Sequence, residues 1–241
     1  MRHDFVLDAL GSSEVQISSL KLSTLLGIKP GVTAIIGGGG KTTLVYTLAG
    51  DLQSSGPVII CTTTGMLRPS HIPVLTGTQD ADVSGELKRS SVVCVGTDAE
   101  NGKLKAPVIP LERLSKIARY VLVEADGSRG LPMKAHGVDE PVIPSSALQT
   151  ILVIGASGFG RPIRDAAHRP ALYASLAGAT EDSIVTPELA ARVALAENLH
   201  HRVFVNQVDS ELSLSAAREL KNLLNCPVCA GSLLNEEYFS L

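Results

Sequence analysis

Six apolar runs of strand length recur along the chain with helical patterns between them, and nothing else in the sequence restricts the fold as much. They are VTAIIG (residues 32–37), PVIICTTT (57–64), SVVCVGTD (91–98), YVLVEADG (120–127), TILVIGAS (150–157) and RVFVNQVD (202–209), and a shorter PVCAGSL (227–233) closes the set. Helical patterns occupy residues 41–53, 111–119, 170–177, 187–199 and 213–224, with Thr186 and Pro187 forming an N-cap and N1 pair. This alternation predicts an α/β fold, a mostly parallel sheet with helices on both faces. Aromatic residues make up 3% and tryptophan is absent, so the core is built from Val, Ile, Leu and Ala, as buried parallel strands require. A chain of 241 residues buries one large core, and residues 1–241 are expected to form a single domain, with residues 1–30 a helical lead-in closed by Lys29, Pro30 and Gly31.

In such sheets ligands bind at the carboxyl ends of the strands. The first strand ends in IIGGGGKTTL, residues 35–44. A phosphate-binding loop needs backbone N–H groups aimed inward, a conformation that glycine tolerates best. It also needs a lysine for the outer phosphates, a hydroxyl for Mg²⁺ and a helix whose N-terminus faces the anion. Gly37, Gly38, Gly39, Gly40, Lys41, Thr42 and Thr43 supply these in order. The loop is shorter than the usual pattern, because position 35 is Ile and Gly37 to Gly40 encloses two residues instead of four. In this it looks like the G-x-x-G-K-T loop of Mur-type ligases. The competing reading is a glycine turn with a solvated Lys41.

The fourth strand ends in carboxylates. Period-two alternation puts Leu122, Glu124 and Asp126 on one side, with the acidic pair nearest the phosphates. Hard oxygens there suit Mg²⁺ or its water, so Thr42, Glu124 and Asp126 are the expected metal ligands, and Lys41, Glu124 and Asp126 the expected catalytic groups. The run ending in Asn206, Gln207, Val208 and Asp209 looks like the N-K-x-D base signature of GTPases with Gln for Lys, which makes Asn206 and Asp209 base-binding candidates and leaves ATP or GTP open. Thr62, Thr63 and Thr64 end the second strand, where hydroxyls reach a metal shell or simply favour β-structure. Arg129 and Lys134 follow the acidic strand.

Cys61, Cys94, Cys226 and Cys229 lie in or beside strands, which favours buried thiols over a disulfide framework; Cys226 is placed at a helix end. His200 and His201 fall at the end of a helix, where a cation suits the macrodipole. A net charge of -3 argues against a broad surface for nucleic acid or acidic lipid. No apolar stretch reaches the roughly 18 residues that span a bilayer, and the charged start MRHD leaves no apolar signal run, so a cytoplasmic protein is expected.

The motifs GGGGKTT, CTTT, VEADGSRGLPMKAH and HRP together resemble the selenium-dependent hydroxylase accessory family, the YqeC-like proteins. VEADGSRGLPMKAH is the most specific part, and the segment around HRP carries His168 and Arg169. The resemblance implies a P-loop NTPase-like three-layer sandwich that binds nucleotide and Mg²⁺, with a molybdenum hydroxylase or its maturation factors as partner. It also makes Lys134, Arg129, His168 and Arg169 secondary candidates for switch or partner-site roles.

Overall fold

The computed structural model describes residues 20–77, 79–99 and 102–241. The first half runs α1 (Leu22–Leu25), β1 (Gly31–Gly37), α2 (Lys41–Leu52), β2 (Val58–Thr62), β3 (Met66–Leu67), β4 (Val74–Thr76), α3 (Asp80–Leu87), β5 (Val92–Asp98), β6 (Lys103–Lys105), α4 (Leu111–Ile117) and β7 (Tyr120–Glu124). The second half holds β8 (Met133–Lys134), β9 (Ala147–Gly155), α5 (Ile163–Ala166), β10 (Ala167–His168), α6 (Pro170–Ala177), α7 (Pro187–Glu197), β11 (Arg202–Asn206), α8 (Glu211–Leu223), β12 (Val228–Ser232) and β13 (Glu237–Ser240).

The main sheet has the order β13-β12-β11-β9-β1-β7-β2-β5-β6-β3, with β4 also paired to β5. From β12 to β5 every neighbouring pair is parallel, and antiparallel pairing is confined to the β12–β13 and β5–β6–β3 edges. The glycine strand β1 is therefore central, between the acidic strand β7 and β9. This is the mostly parallel α/β sheet with helices on both faces expected from the sequence.

Strand periodicity divides the core. Ile35 packs with Leu44, Leu48 and Leu52 of α2 on one face, while its neighbours Ala34 and Ile36 pack with the α5 to α8 layer on the other. A third cluster under α3 and α4 takes Ile59, Cys61, Val121 and Val123. Each fully buried Ile or Leu contributes roughly 1.5–3 kcal/mol by transfer from water, so the apolar runs fix which strands are central. Thr186 caps α7 by accepting from Leu189 N at 3.3 Å, with Pro187 at N1, as its sequence predicts.

Several boundaries differ from the sequence expectations. The run 57–64 leaves the sheet at Thr62, whose Oγ1 donates to Glu124 O at 2.7 Å and accepts from Thr64 N at 3.1 Å, so the chain turns there. The run 120–127 ends as a strand at Glu124, with Asp126 turned onto the Gly37 amide, and 202–209 ends at Asn206, where Gln207 takes a φ of 64° and Val208 N donates to Gly231 O. Conversely β9 starts three residues early, at Ala147, and helix α8 starts at Glu211 behind a Ser210–Ser213 capping box. Helix α3 was not foreseen: its apolar periodicity is weak, with Val83 its buried residue and Gly85 within it. Of the lead-in, residues 1–19 lie outside the described residues, and α1 forms a single turn.

The histidine expectation is corrected. Helix α7 ends at Glu197 with Asn198 as a left-handed cap, and His201 Nδ1 instead accepts from Thr150 N at 3.0 Å, tying the chain before β11 to β9. Cys226 lies beyond the end of α8 and two residues before β12, half-buried; Cys61, Cys94 and Cys229 are buried, and all four are free thiols.

Candidate nucleotide site

The glycine loop joins β1 to the N-terminus of α2 over the carboxyl end of the sheet. Gly37, Gly39 and Gly40 have φ of 99°, 79° and 120°, so L side chains are strained at three of the four positions. Space forbids them as well. A Cβ on Gly39 would lie 2.4 Å from Gly155 Cα, and one on Gly40 would lie 2.5 Å from Asn206 Nδ2. Among the described residues no side chain caps the start of α2, leaving its first-turn N–H groups facing outward for an anion. Two amides further back are engaged: Gly38 N donates to Val153 O at 2.9 Å, and Gly39 N to Leu131 O at 3.0 Å. The turn after the acidic strand thus lies on the glycine loop.

Parallel register sets the acidic strand beside this loop, with Ile35 opposite Glu124. Glu124 Oε2 accepts from Thr42 Oγ1 at 2.8 Å, putting a carboxylate and a hydroxyl together at the helix start. Burial raises the Glu124 carboxyl against the charge of Lys41 and the Thr42 hydrogen bond. Mg²⁺ takes hard oxygens, keeps several waters and relies on one or two carboxylates plus phosphates. The Thr42–Glu124 pair fits that donor set. Among the described residues no cluster of three His, Cys, Asp or Glu suited to a metal occurs.

Asp126 has a different environment. Its carboxylate is wholly buried, accepting from Gly37 N at 2.8 Å and contacting Lys41 Nζ at 3.1 Å, Lys134 Nζ at 3.2 Å and His136 Nε2 at 2.6 Å. Burial pushes this carboxyl up, but the His136 hydrogen bond and the two lysine charges outweigh it and hold it well below the usual range. Lys41 Nζ also donates to Gly37 O at 2.7 Å, so the loop lysine is folded back onto its own loop and Asp126. With its oxygens surrounded by three cations and an amide, Asp126 acts here as an anchor for the loop rather than as an open metal ligand.

His136 and Glu197 were not picked out from the sequence. His136 Nδ1 lies 2.7 Å from Glu197 Oε2, and the His136 backbone N donates to Glu197 Oε1 at 2.6 Å. Both ring nitrogens therefore face carboxylate oxygens, and each contact requires a proton, which makes the ring a cation between two anions. Burial opposes that charge, but the bonds and charges of Asp126 and Glu197 prevail and raise the His136 pKa. The only sequence signal was the histidine inside the KAH motif; Glu197 sits 61 residues away on α7.

The secondary candidates divide. Lys134 is bonded to Gly127 O and to Glu140 Oε2, the latter also held by Arg169 at 2.8 Å. The small β8–β10 ladder pairs His168 with Lys134, so the HRP segment meets the acidic loop. Burial, then Lys134, Arg169 and Arg129, lower the His168 pKa. Arg129 is exposed at the tip of the turn, with φ of 52°. Thr43 is exposed on α2; Thr63 N donates to Glu124 O at 3.1 Å, and its hydroxyl to Val142 O at 2.7 Å.

At the expected base signature, Asn206 is a brace. Its Nδ2 donates to Gly39 O at 2.7 Å and its Oδ1 accepts from Leu233 N at 3.0 Å. Gln207, at φ 64°, accepts from Ser157 Oγ at 2.6 Å; Asp209 is exposed, with Asn235 Nδ2 at 3.4 Å. Asn206→Ala leaves a buried carbonyl and a buried amide without partners, and is expected to lower stability by about 2 kcal/mol. Urea unfolding measures this, and an unchanged midpoint would show the brace to be idle.

Among the described residues no helix is long and apolar enough to cross a membrane. Against known proteins, the family model described as YqeC protein matches residues 33–171. The Escherichia coli (strain K12) protein named "Uncharacterized protein YqeC" is 35% identical over 180 residues, spanning 70% of this chain and 69% of that protein. The solved structure of signal recognition particle 54 kDa protein from Aeropyrum pernix K1, in complex with GDP, aligns with a TM-score of 0.39 and 14% identity over 89% of this chain and 44% of that one, a likeness too slight to inform function. The model match covers more than half of the sequence and includes the glycine loop, the acidic strand and the HRP segment, so the chain belongs to the YqeC family.

Proposed function

We propose that the protein binds a nucleoside triphosphate, ATP or GTP, with Mg²⁺ at the glycine loop and hydrolyses it as an accessory factor in maturation of selenium-dependent molybdenum hydroxylases. The observation that carries the nucleotide reading is the meeting of Thr42 Oγ1 and Glu124 Oε2 at the uncapped start of α2, beside Lys41. Gly37 to Gly40 shape the cradle, Lys41 leaves Asp126 to reach the outer phosphates, and the amides of Lys41, Thr42 and Thr43 face the inner ones. Thr42 and Glu124 hold the metal, which neutralises charge on the phosphates, and Asp126 anchors the loop from behind. Asp209 is the group left to read the base. The client and the cytoplasmic setting rest on the family resemblance and the sequence alone. The whole described chain is taken to act as one domain.

A second reading, a nucleotide-dependent switch that does not turn over unaided, is favoured by one specific feature. Both carboxylates are engaged, Glu124 by Thr42 and Asp126 by three cations, which leaves neither poised to orient an attacking water. Calorimetric titration of ATP and GTP with and without Mg²⁺, followed by phosphate release, tests both. Glu124→Gln is expected to keep nucleotide binding and weaken its Mg²⁺ dependence about tenfold, the effect of losing one charged ligand of roughly 1.4 kcal/mol. An unaltered Mg²⁺ requirement would remove Glu124 from the metal, and turnover by the isolated protein would exclude the pure switch.

A further inference from the structure

The Glu197–His136–Asp126 chain is not explained by phosphate binding as such. Three cations meet one buried carboxylate in the structure: Lys41, Lys134 and His136 on Asp126. Of these, Lys41 alone belongs to the glycine loop. If it moves to a phosphate, Asp126 remains wholly buried with Lys134, His136 and the Gly37 N–H. Lys134 is divided between Asp126, Glu140 and Gly127 O. His136 has the shorter contact, and Glu197 fixes it twice, through Nδ1 and through its backbone N. Removing a partner from a buried charge is costly, so the ease with which Lys41 can leave depends on what neutralises Asp126 afterwards.

We propose that His136, held by Glu197 of α7, is a positioning residue of the phosphate site: it keeps Asp126 neutralised and aimed at the Gly37 N–H, which frees Lys41 for a bound phosphate. The inference rests on the nucleotide reading above and deepens it. Without His136, Asp126 keeps a stronger hold on Lys41, and nucleotide binds more weakly although every group that touches the nucleotide is still in place. The effect passes through the Asp126 carboxylate, so it disappears when that carboxylate does.

A double-mutant cycle read by calorimetry with Mg·ADP and Mg·GDP tests this on the full chain. His136→Gln is expected to raise Kd about tenfold, the equivalent of roughly 1.4 kcal/mol. Glu197→Gln, which leaves the histidine in place, is expected to move Kd the same way by about threefold, on the order of half that energy. In the Asp126→Asn background, His136→Gln is expected to change Kd by less than about twofold, within the usual scatter for uncoupled sites. A merely structural histidine would lower the melting temperature and add its full effect to Asp126→Asn. That additivity overturns the proposal, as does wild-type affinity in His136→Gln. If His136→Gln does not fold, Glu197→Gln alone and combined with Asp126→Asn decides by the same criterion. Failure of the wild type to bind either nucleotide removes the nucleotide reading itself, an outcome distinct from binding that ignores His136.

Discussion

Lys41→Ala is expected to abolish measurable nucleotide binding. Removing a charge-assisted hydrogen bond to phosphate from a site built of backbone dipoles raises Kd by at least about 100-fold. The fold should tolerate it. Lys41 is buried, bonded to Gly37 O and ion-paired with Asp126 Oδ1, while Asp126 Oδ2 retains Lys134, His136 and the Gly37 N–H as partners. Calorimetry with Mg·ATP and Mg·GTP, beside a thermal melt, separates the two effects. Native-like melting with no heat of binding supports the loop as the phosphate site. Undiminished affinity would return Lys41 to the alternative raised by the sequence, a cation beside a glycine turn.

The largest stability effect is expected at Asp126. Asp126→Ala leaves Lys41 buried with no anion, takes one of two carboxylates from Lys134 and from His136, which keep Glu140 and Glu197, and frees the Gly37 amide, a loss of about 3–5 kcal/mol by analogy with broken buried ion pairs. The same cluster sets a pH dependence. Asp126 is depressed in the folded state, so its contribution is present above the unfolded aspartate pKa of about 4 and is lost as pH falls through the depressed value. His136 is raised, so its contribution is complete below about pH 6.5 and is lost as pH rises through its folded value. Glu124, a raised carboxyl, works the other way and costs stability above its unfolded value. Wild-type unfolding free energy should therefore be highest between about pH 4 and pH 6.5 and decline on both sides, and Asp126→Ala should flatten both slopes. Denaturation midpoints collected from pH 3 to pH 9 check this. Parallel pH curves for the two proteins would mean that the cluster titrates the same way folded and unfolded.

Much of the site could be read along the chain because its parts are strand ends. Gly37 to Thr43 and Glu124 are local to apolar runs whose lengths and alternation fixed β1, the helix α2 that follows it, and β7. The adjacency of those strands puts Ile35 opposite Glu124, as ligand sites at carboxyl ends require. The reading of Asn206 as a base contact was limited because a sequence cannot say which partner an amide side chain selects. Gly39 O and Leu233 N claim both ends of it. His200 and His201 failed for a related reason: α7 stops at Glu197, and a ring nitrogen serves the backbone of a neighbouring strand.

The sequence by itself determined the α/β layering and the glycine turn that joins β1 to α2, because these follow from periodicity and from backbone conformations that glycine favours. Tertiary structure decided which carboxylate faces what. Glu124 and Asp126 are two residues apart, yet one meets a helix-start hydroxyl and the other is enclosed by Lys41, Lys134 and His136. Glu197 enters only because α7 packs over that end of the sheet. Charge placement in this buried cluster depends on distances of 2.6 to 3.2 Å, and although Lys134 and His136 lie within ten residues of Asp126, Lys41 meets Asp126 from 85 residues away and Glu197 meets His136 from 61, which no local pattern encodes.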